Sequence, residues 1–91
     1  NDNVLLKHEQ LHFDITELYA RKFRQRLSVK NFTENVKSEI KYIYKEISDE
    51  KVKAQKLYDV ETDHSKNKIA QKKWQLKIES ELQKLINFAS K

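Results

Sequence analysis

The 91-residue chain contains no glycine, no proline, no cysteine and no methionine. Without Gly and Pro it lacks the usual residues for tight turns, positive-φ positions and sharp breaks. An all-β or α/β domain of this length needs several of them, whereas an all-helical one needs far fewer, so these absences favour helices. Without Cys there are no disulfides and no thiolate zinc sites. Also missing are an apolar run long enough to span a membrane and a recognisable signal peptide.

Charged residues make up 36% of the chain and hydrophobic residues 37%. That is polar for a globular domain, but the apolar residues are periodic, so the chain reads as folded and not as disordered. It is long enough for one small helical domain or fragment over 1–91, with a thin core that a metal, a partner or a neighbouring domain would reinforce. Nineteen Lys and Arg against fourteen Asp and Glu give a formal charge of +5. The basic residues are spread along the chain and mixed with acids, with no basic stripe interleaved by aromatics, which argues against nucleic acid as the partner. The chain opens on Asn1-Asp2-Asn3 and runs straight into a helical pattern. That start suggests an upstream part of the same protein, carrying any targeting signal.

Periodicity predicts three long helices, over about 4–27, 32–61 and 66–89. The first stripe is Leu5, His8, Leu11, His12, Ile15, Leu18, Tyr19 and Phe23, with Asp2 or Asn3 as cap. A polar break at 28–31 follows, where Asn31 and Glu34 resemble a capping arrangement. The second stripe is Val36, Ile40, Ile43, Ile47, Ala54 and Leu57. A second break, Thr62-Asp63-His64-Ser65, offers Asp63 or Ser65 as cap to a third helix carrying Trp74, Ile78, Leu82, Leu85 and Phe88 inward. Short connections make neighbours antiparallel, so the expected fold is all-α, an up-down-up bundle.

Polar residues interrupt these stripes at matching places. His8 and His12 lie near the start of the first helix. Continuing the second stripe past Leu57 gives Glu61 and His64 at its end. Stepping back from Trp74 gives Gln71 and Asn67 at the start of the third. In an up-down-up bundle all three places share one pole. Polar groups delivered to a core need each other, water or a metal.

His8-Glu9-Gln10-Leu11-His12 is HExxH. On a helix, i and i+4 imidazoles stand one turn apart on one face and reach a single zinc ion. Glu9, a quarter turn away, is placed as a general base that takes the proton of an attacking water. Two stripe histidines that merely pack and hydrogen-bond are the plainer alternative. A catalytic zinc needs a third protein ligand. His64 is the preferred candidate, since it is the one remaining histidine and reaches the same pole; Glu61 and Asp59 are the alternatives. Tyr58 is a candidate for steadying an oxyanion or for ligation, or else an aromatic at the core edge. Asp14 and Glu17 face away from the site.

The stretch His8-Glu9-Gln10-Leu11-His12-Phe13-Asp14-Ile15, followed by Tyr19-Ala20-Arg21-Lys22, resembles the bacterial predicted secreted zinc-dependent proteases, a family otherwise of unknown function. Tyr58-Asp59-Val60-Glu61-Thr62-Asp63-His64-Ser65 resembles that family's Tyr-Asp-x-x-Thr-x-His-Gly element, with Ser65 in the Gly position, and Asn67, Gln71 and Trp74 continue it. The resemblance implies a zincin-like metallopeptidase with His8 and His12 as ligands, Glu9 as base and His64 as third ligand. It implies a peptide or protein substrate and a periplasmic, cell-envelope or secreted location. Tyr58, Asn67 and Gln71 are expected around the ligands or the substrate. Zincins usually hold an extended substrate against an edge strand, and the strand expected here lies upstream. The competing function class is a non-catalytic helical interaction module with an inert or structural metal site.

Overall fold

The computed structural model describes residues 2–90, with side chains from Asn3 onward. Three helices follow in order: α1 Asp2–Val29, α2 Val36–Glu61 and α3 Lys68–Lys84, with a 3₁₀ turn at Ile86–Phe88. No strand occurs among the described residues, so the fold is the all-helical one that the missing Gly and Pro favour. No described helix is long and apolar enough to cross a membrane.

Side-chain pairs give the topology. Along α1 and α2, His12 meets Gln55, Phe23 meets Tyr44 and Lys30 meets Glu39. One number rises as the other falls, so these helices are antiparallel. Between α1 and the last third of the chain, His8 meets Ser65, Arg21 Nη1 donates to the Leu82 carbonyl and Arg24 Nη1 to the Phe88 carbonyl. Here both numbers rise together, so α3 runs parallel to α1. The bundle is elongated, 52 × 23 × 18 Å, with α1 packed by both partners.

The core lies toward the end where α1 starts. Leu11, Ile15 and Leu18 of α1 are buried against Tyr58 of α2 and Trp74 and Ile78 of α3. Burying each aliphatic side chain contributes about 1.5–3 kcal/mol. Farther along, Ile43 and Ile47 are buried on α2 and Phe23 meets Tyr44 edge to face. Arg26 grips Glu50 in a bidentate pair, Nη1 to Oε2 2.7 Å and Nη2 to Oε1 2.8 Å, which holds the Glu50 carboxyl below its ordinary value.

The helix ends differ from the sequence expectation, each for a local reason. α2 starts at Val36 and not near 32, because Thr33, and not Asn31 with Glu34, organises its approach. Thr33 Oγ1 accepts from Asn35 N, while its own N–H and hydroxyl donate to the Glu39 carboxylate. α3 is shorter than 66–89 and is capped by Asn67, whose Oδ1 accepts from Ala70 N at 3.1 Å. Asp63 and Ser65 do not cap it: with His64 they have φ of 47°, 70° and 54°, a left-handed run that forms the exit from α2. At the start of α1, the Asp2 side chain falls outside the described residues and Asn3 lies inside the helix.

The largest correction concerns the phase of α2. Leu57, expected inward, is 48% exposed, and its neighbour Tyr58 is completely buried. Leu5, Val36 and Ile40, also expected inward, are exposed near the ends of the helices. The buried face of α2 near its end is therefore Tyr58, Thr62 and Ser65, one position later than the stripe through Leu57, Glu61 and His64. An aromatic ring of this size, with a polar tip that finds buried partners, displaces a leucine from the core.

Candidate metal centre

α1 carries His8 and His12 one turn apart, half-buried at the pole where α2 ends. Their Nε2 atoms stand 3.2 Å from each other. Asp59 of α2 brings Oδ1 to 2.8 Å from His12 Nε2 and 3.2 Å from His8 Nε2. The phase of α2 set by Tyr58 is what turns Asp59 toward the histidines. It turns Glu61 elsewhere: Glu61 Oε1 accepts from Trp74 Nε1 at 2.8 Å. His64 also belongs to the pole. It is exposed, its ring centroid is 6.4 Å from that of His8, and it can offer an atom within 4.8 Å of those of His8 and Asp59. On distance, His8, His12 and Asp59 form the tighter trio, with His64 behind.

The far nitrogens of both rings are fixed. Gln55 Nε2 donates to the His12 carbonyl at 3.0 Å and to Thr16 Oγ1 at 3.2 Å, so Gln55 Oε1 faces His12 Nδ1 and takes its proton. Ser65 Oγ donates to Gln71 Oε1 at 2.8 Å and so accepts from His8 Nδ1, 2.6 Å away. With the proton on Nδ1, each ring in its neutral form presents a lone pair at Nε2. Two lone pairs and a carboxylate oxygen then converge, and no Lys or Arg among the described residues pairs with Asp59. Either a proton on one of the rings or a metal ion would satisfy these three converging atoms. Two ligands about 2.0–2.1 Å from one tetrahedral zinc stand about 3.3 Å apart, which the two 3.2 Å separations match, while the 2.8 Å between His12 and Asp59 is the length of a direct hydrogen bond. The donor set is of the kind zinc takes, and both histidines have the outer oxygen partners that a metal-binding histidine requires.

Tyr58 forms the floor. Its ring lies 5.2 Å from that of His8, nearly parallel, and 4.9 Å from that of His12, edge to face. Its hydroxyl donates to Gln71 Oε1 at 2.7 Å and lies 3.1 Å from Ser65 Oγ. Burial pushes the phenol pKa up against the lowering effect of those hydrogen bonds, and the Asp59 and Glu9 charges push it the same way as burial. The hydroxyl is thus engaged inside the core, and the ring is what touches the histidines. Gln71 is buried beneath the same network, whereas Asn67 is exposed and serves as the cap of α3. Glu9 is exposed and forms no hydrogen bond or ion pair among the described residues. Asp14 accepts from Gln10, and Glu17 pairs with Arg21, both away from the histidines.

Three residues that the sequence reading did not assign to the site now stand out: Gln55, Thr62 and Ser65. Thr62 is completely buried; its hydroxyl donates to the Tyr58 carbonyl at 2.7 Å and accepts from Ser65 N at 3.1 Å. It ties the left-handed turn to α2. Ser65, at φ 70°, occupies a conformation that glycine adopts without strain, which explains a Gly preference there. Ser65 instead supplies the oxygen that holds His8. The available signal was helical spacing, since 55, 59 and 62 share a face with Tyr58. With zinc as the occupant, replacing Ser65 by Ala should leave the fold intact and weaken metal binding by about 10–100-fold, the usual effect of removing an outer partner of a metal-binding histidine. Competition with a chromophoric chelator measures this, and an unchanged affinity would show that Ser65 does not orient His8.

Comparison with known proteins adds one finding. A family model described as a bacterial protein of unknown function, DUF922, matches residues 3–65, and the chain belongs to that family. The match takes in α1, α2 and the turn through Ser65. No curated protein and no solved structure matches the chain.

Proposed function

For this member of a family without an assigned activity, we propose a zinc-dependent peptidase in which His8, His12 and Asp59 hold the metal and Glu9 is the general base. The observation that carries this reading is the convergence of His8 Nε2, His12 Nε2 and Asp59 Oδ1 within 3.2 Å, with each Nδ1 tied to an oxygen. Zinc, when bound, would supply Lewis-acid polarisation of a peptide carbonyl and acidify the attacking water. The chain's own residues do the rest. Gln55 and Ser65 keep the two imidazoles in the tautomer that binds. The Tyr58 ring wedges both against rotation. Glu9, adjacent to His8 in sequence and exposed, accepts the proton of the attacking water. Holding an extended substrate would fall to a part outside residues 2–90, since no strand occurs among the described residues.

A second reading has a specific observation in its favour. His64 comes within 4.8 Å of His8 and Asp59, so four ligands could close around one ion, and a closed four-ligand zinc site is structural. Elemental analysis of the purified protein and its variants tests both. Zinc near one equivalent, lost in His8→Ala and His12→Ala, supports a metal centre; unchanged zinc in those variants sinks it. Loss in Asp59→Ala with retention in His64→Ala fits the open, catalytic site. Loss in both fits the closed, structural one.

A further inference from the structure

The polar network behind His8 does not end in the core. Gln71 is only 7% exposed; its Oε1 takes two hydrogen bonds, yet its buried Nε2 has no hydrogen-bond partner among the described residues. Buried amide donors are nearly always paired, and one that is not needs a reason. Gln71 lines a cleft of about 310 Å³ between the start of α1 and the start of α3, a volume at the low end of those that hold small ligands. Around Gln71 the cleft is walled by Lys7, Lys68 and Lys72; among the described residues none of these forms an ion pair and no Asp or Glu lines the cleft. Lys68 is also the first residue of α3, where unpaired N–H groups and the positive end of the helix dipole favour an anion. Ser65 lines the same cleft.

We propose that this cleft is a binding site for an oxyanion, a carboxylate or a phosphate group, with Gln71 Nε2 as the buried donor and Lys7, Lys68 and Lys72 as the charged rim. The buried donor gives the site its geometry, and the lysines give it its sign. Hydrogen bonds from a buried amide and from ammonium groups to a charged oxygen are the stronger kind. His8, His12 and Asp59 do not line the cleft, so the site is distinct from the metal centre and can be tested without zinc.

The test is a titration of the metal-free, ¹⁵N-labelled full-length protein, following the Gln71 side-chain amide. The probes are N-acetylglycine, its uncharged amide and inorganic phosphate. Saturable shifts of the Gln71 amide with N-acetylglycine or phosphate, and none with the uncharged amide, are expected. Whichever of the two anions binds more tightly identifies the source of the oxyanion. Lys68→Glu/Lys72→Glu, on the exposed rim, should weaken binding at least tenfold, and so should Gln71→Met, followed through backbone amides of the cleft. Three results would overturn the proposal: no saturable shift with either anion, equal shifts with the uncharged amide, or full binding by Gln71→Met, which would reduce the site to diffuse surface charge. If Gln71→Met fails to fold, binding by the Lys68→Glu/Lys72→Glu variant decides the matter. The titration contains no zinc, so its failure leaves the peptidase reading untouched, and failure of that reading leaves this one standing.

Discussion

Replacing Glu9 by Gln in the full-length protein should lower peptide hydrolysis by about 10²–10⁴-fold, the usual contribution of a positioned general base. Gln keeps the size of Glu and can still hydrogen-bond a water, but it cannot accept the proton. Zinc content and melting temperature should not change, because Glu9 is exposed and makes no hydrogen bond or ion pair among the described residues. The measurement is turnover of a peptide substrate beside elemental analysis of the same samples. A zinc-loaded Glu9→Gln protein as active as its parent would eliminate the mechanism. A zinc-free one would mean that Glu9 acts on the metal site and not on the reaction. Residues 1–91 alone should turn over peptide poorly even with zinc, since positioning of substrate can be worth several kcal/mol of barrier and no described strand offers to hold it.

Zinc should stabilise the fold by a comparably large margin. A ligand bound only by the folded state at a hundred times its dissociation constant adds about 2.7 kcal/mol. For a domain of this size that raises Tm by roughly 10–20 °C. The effect is large because the two ligand helices are joined near this pole mainly by a small core and by the histidines themselves. His12→Ala should abolish it. Differential scanning calorimetry with zinc and with a chelator measures the shift. An equal Tm in both, or a full shift retained by His12→Ala, would refute ligation at this pole.

Much of this architecture could be read from the residues. The missing Gly and Pro and the 3.6-residue periodicity led to three helices, and the short breaks led to their alternating directions. Sharing of one pole by His8, His12 and His64 followed from topology alone. Helix ends were less legible. Thr33 reaches across six residues to Glu39, and the turn at Asp63, His64 and Ser65 is left-handed without a glycine to announce it. Such turns depend on side-chain hydrogen bonds that no stripe reveals.

The spacing of His8, Glu9 and His12 is a property of the sequence by itself. Any α-helix puts those imidazoles on one face, because i and i+4 are adjacent on its surface. The tertiary structure decided what meets them. Leu57 and Tyr58 compete for one core position, and hydrophobicity alone does not choose between them. The structure buries the tyrosine, because its ring fills the space between α1 and α3 while its hydroxyl reaches Gln71 and Ser65. That choice rotates α2 by one residue, about 100° around a helix of 3.6 residues per turn. It brings Asp59 to His8 and His12, sends Glu61 to Trp74, and seats Ser65 beneath His8. The rotational phase of a helix is set by the packing of both its neighbours at once, and this information is in no segment of the chain taken alone.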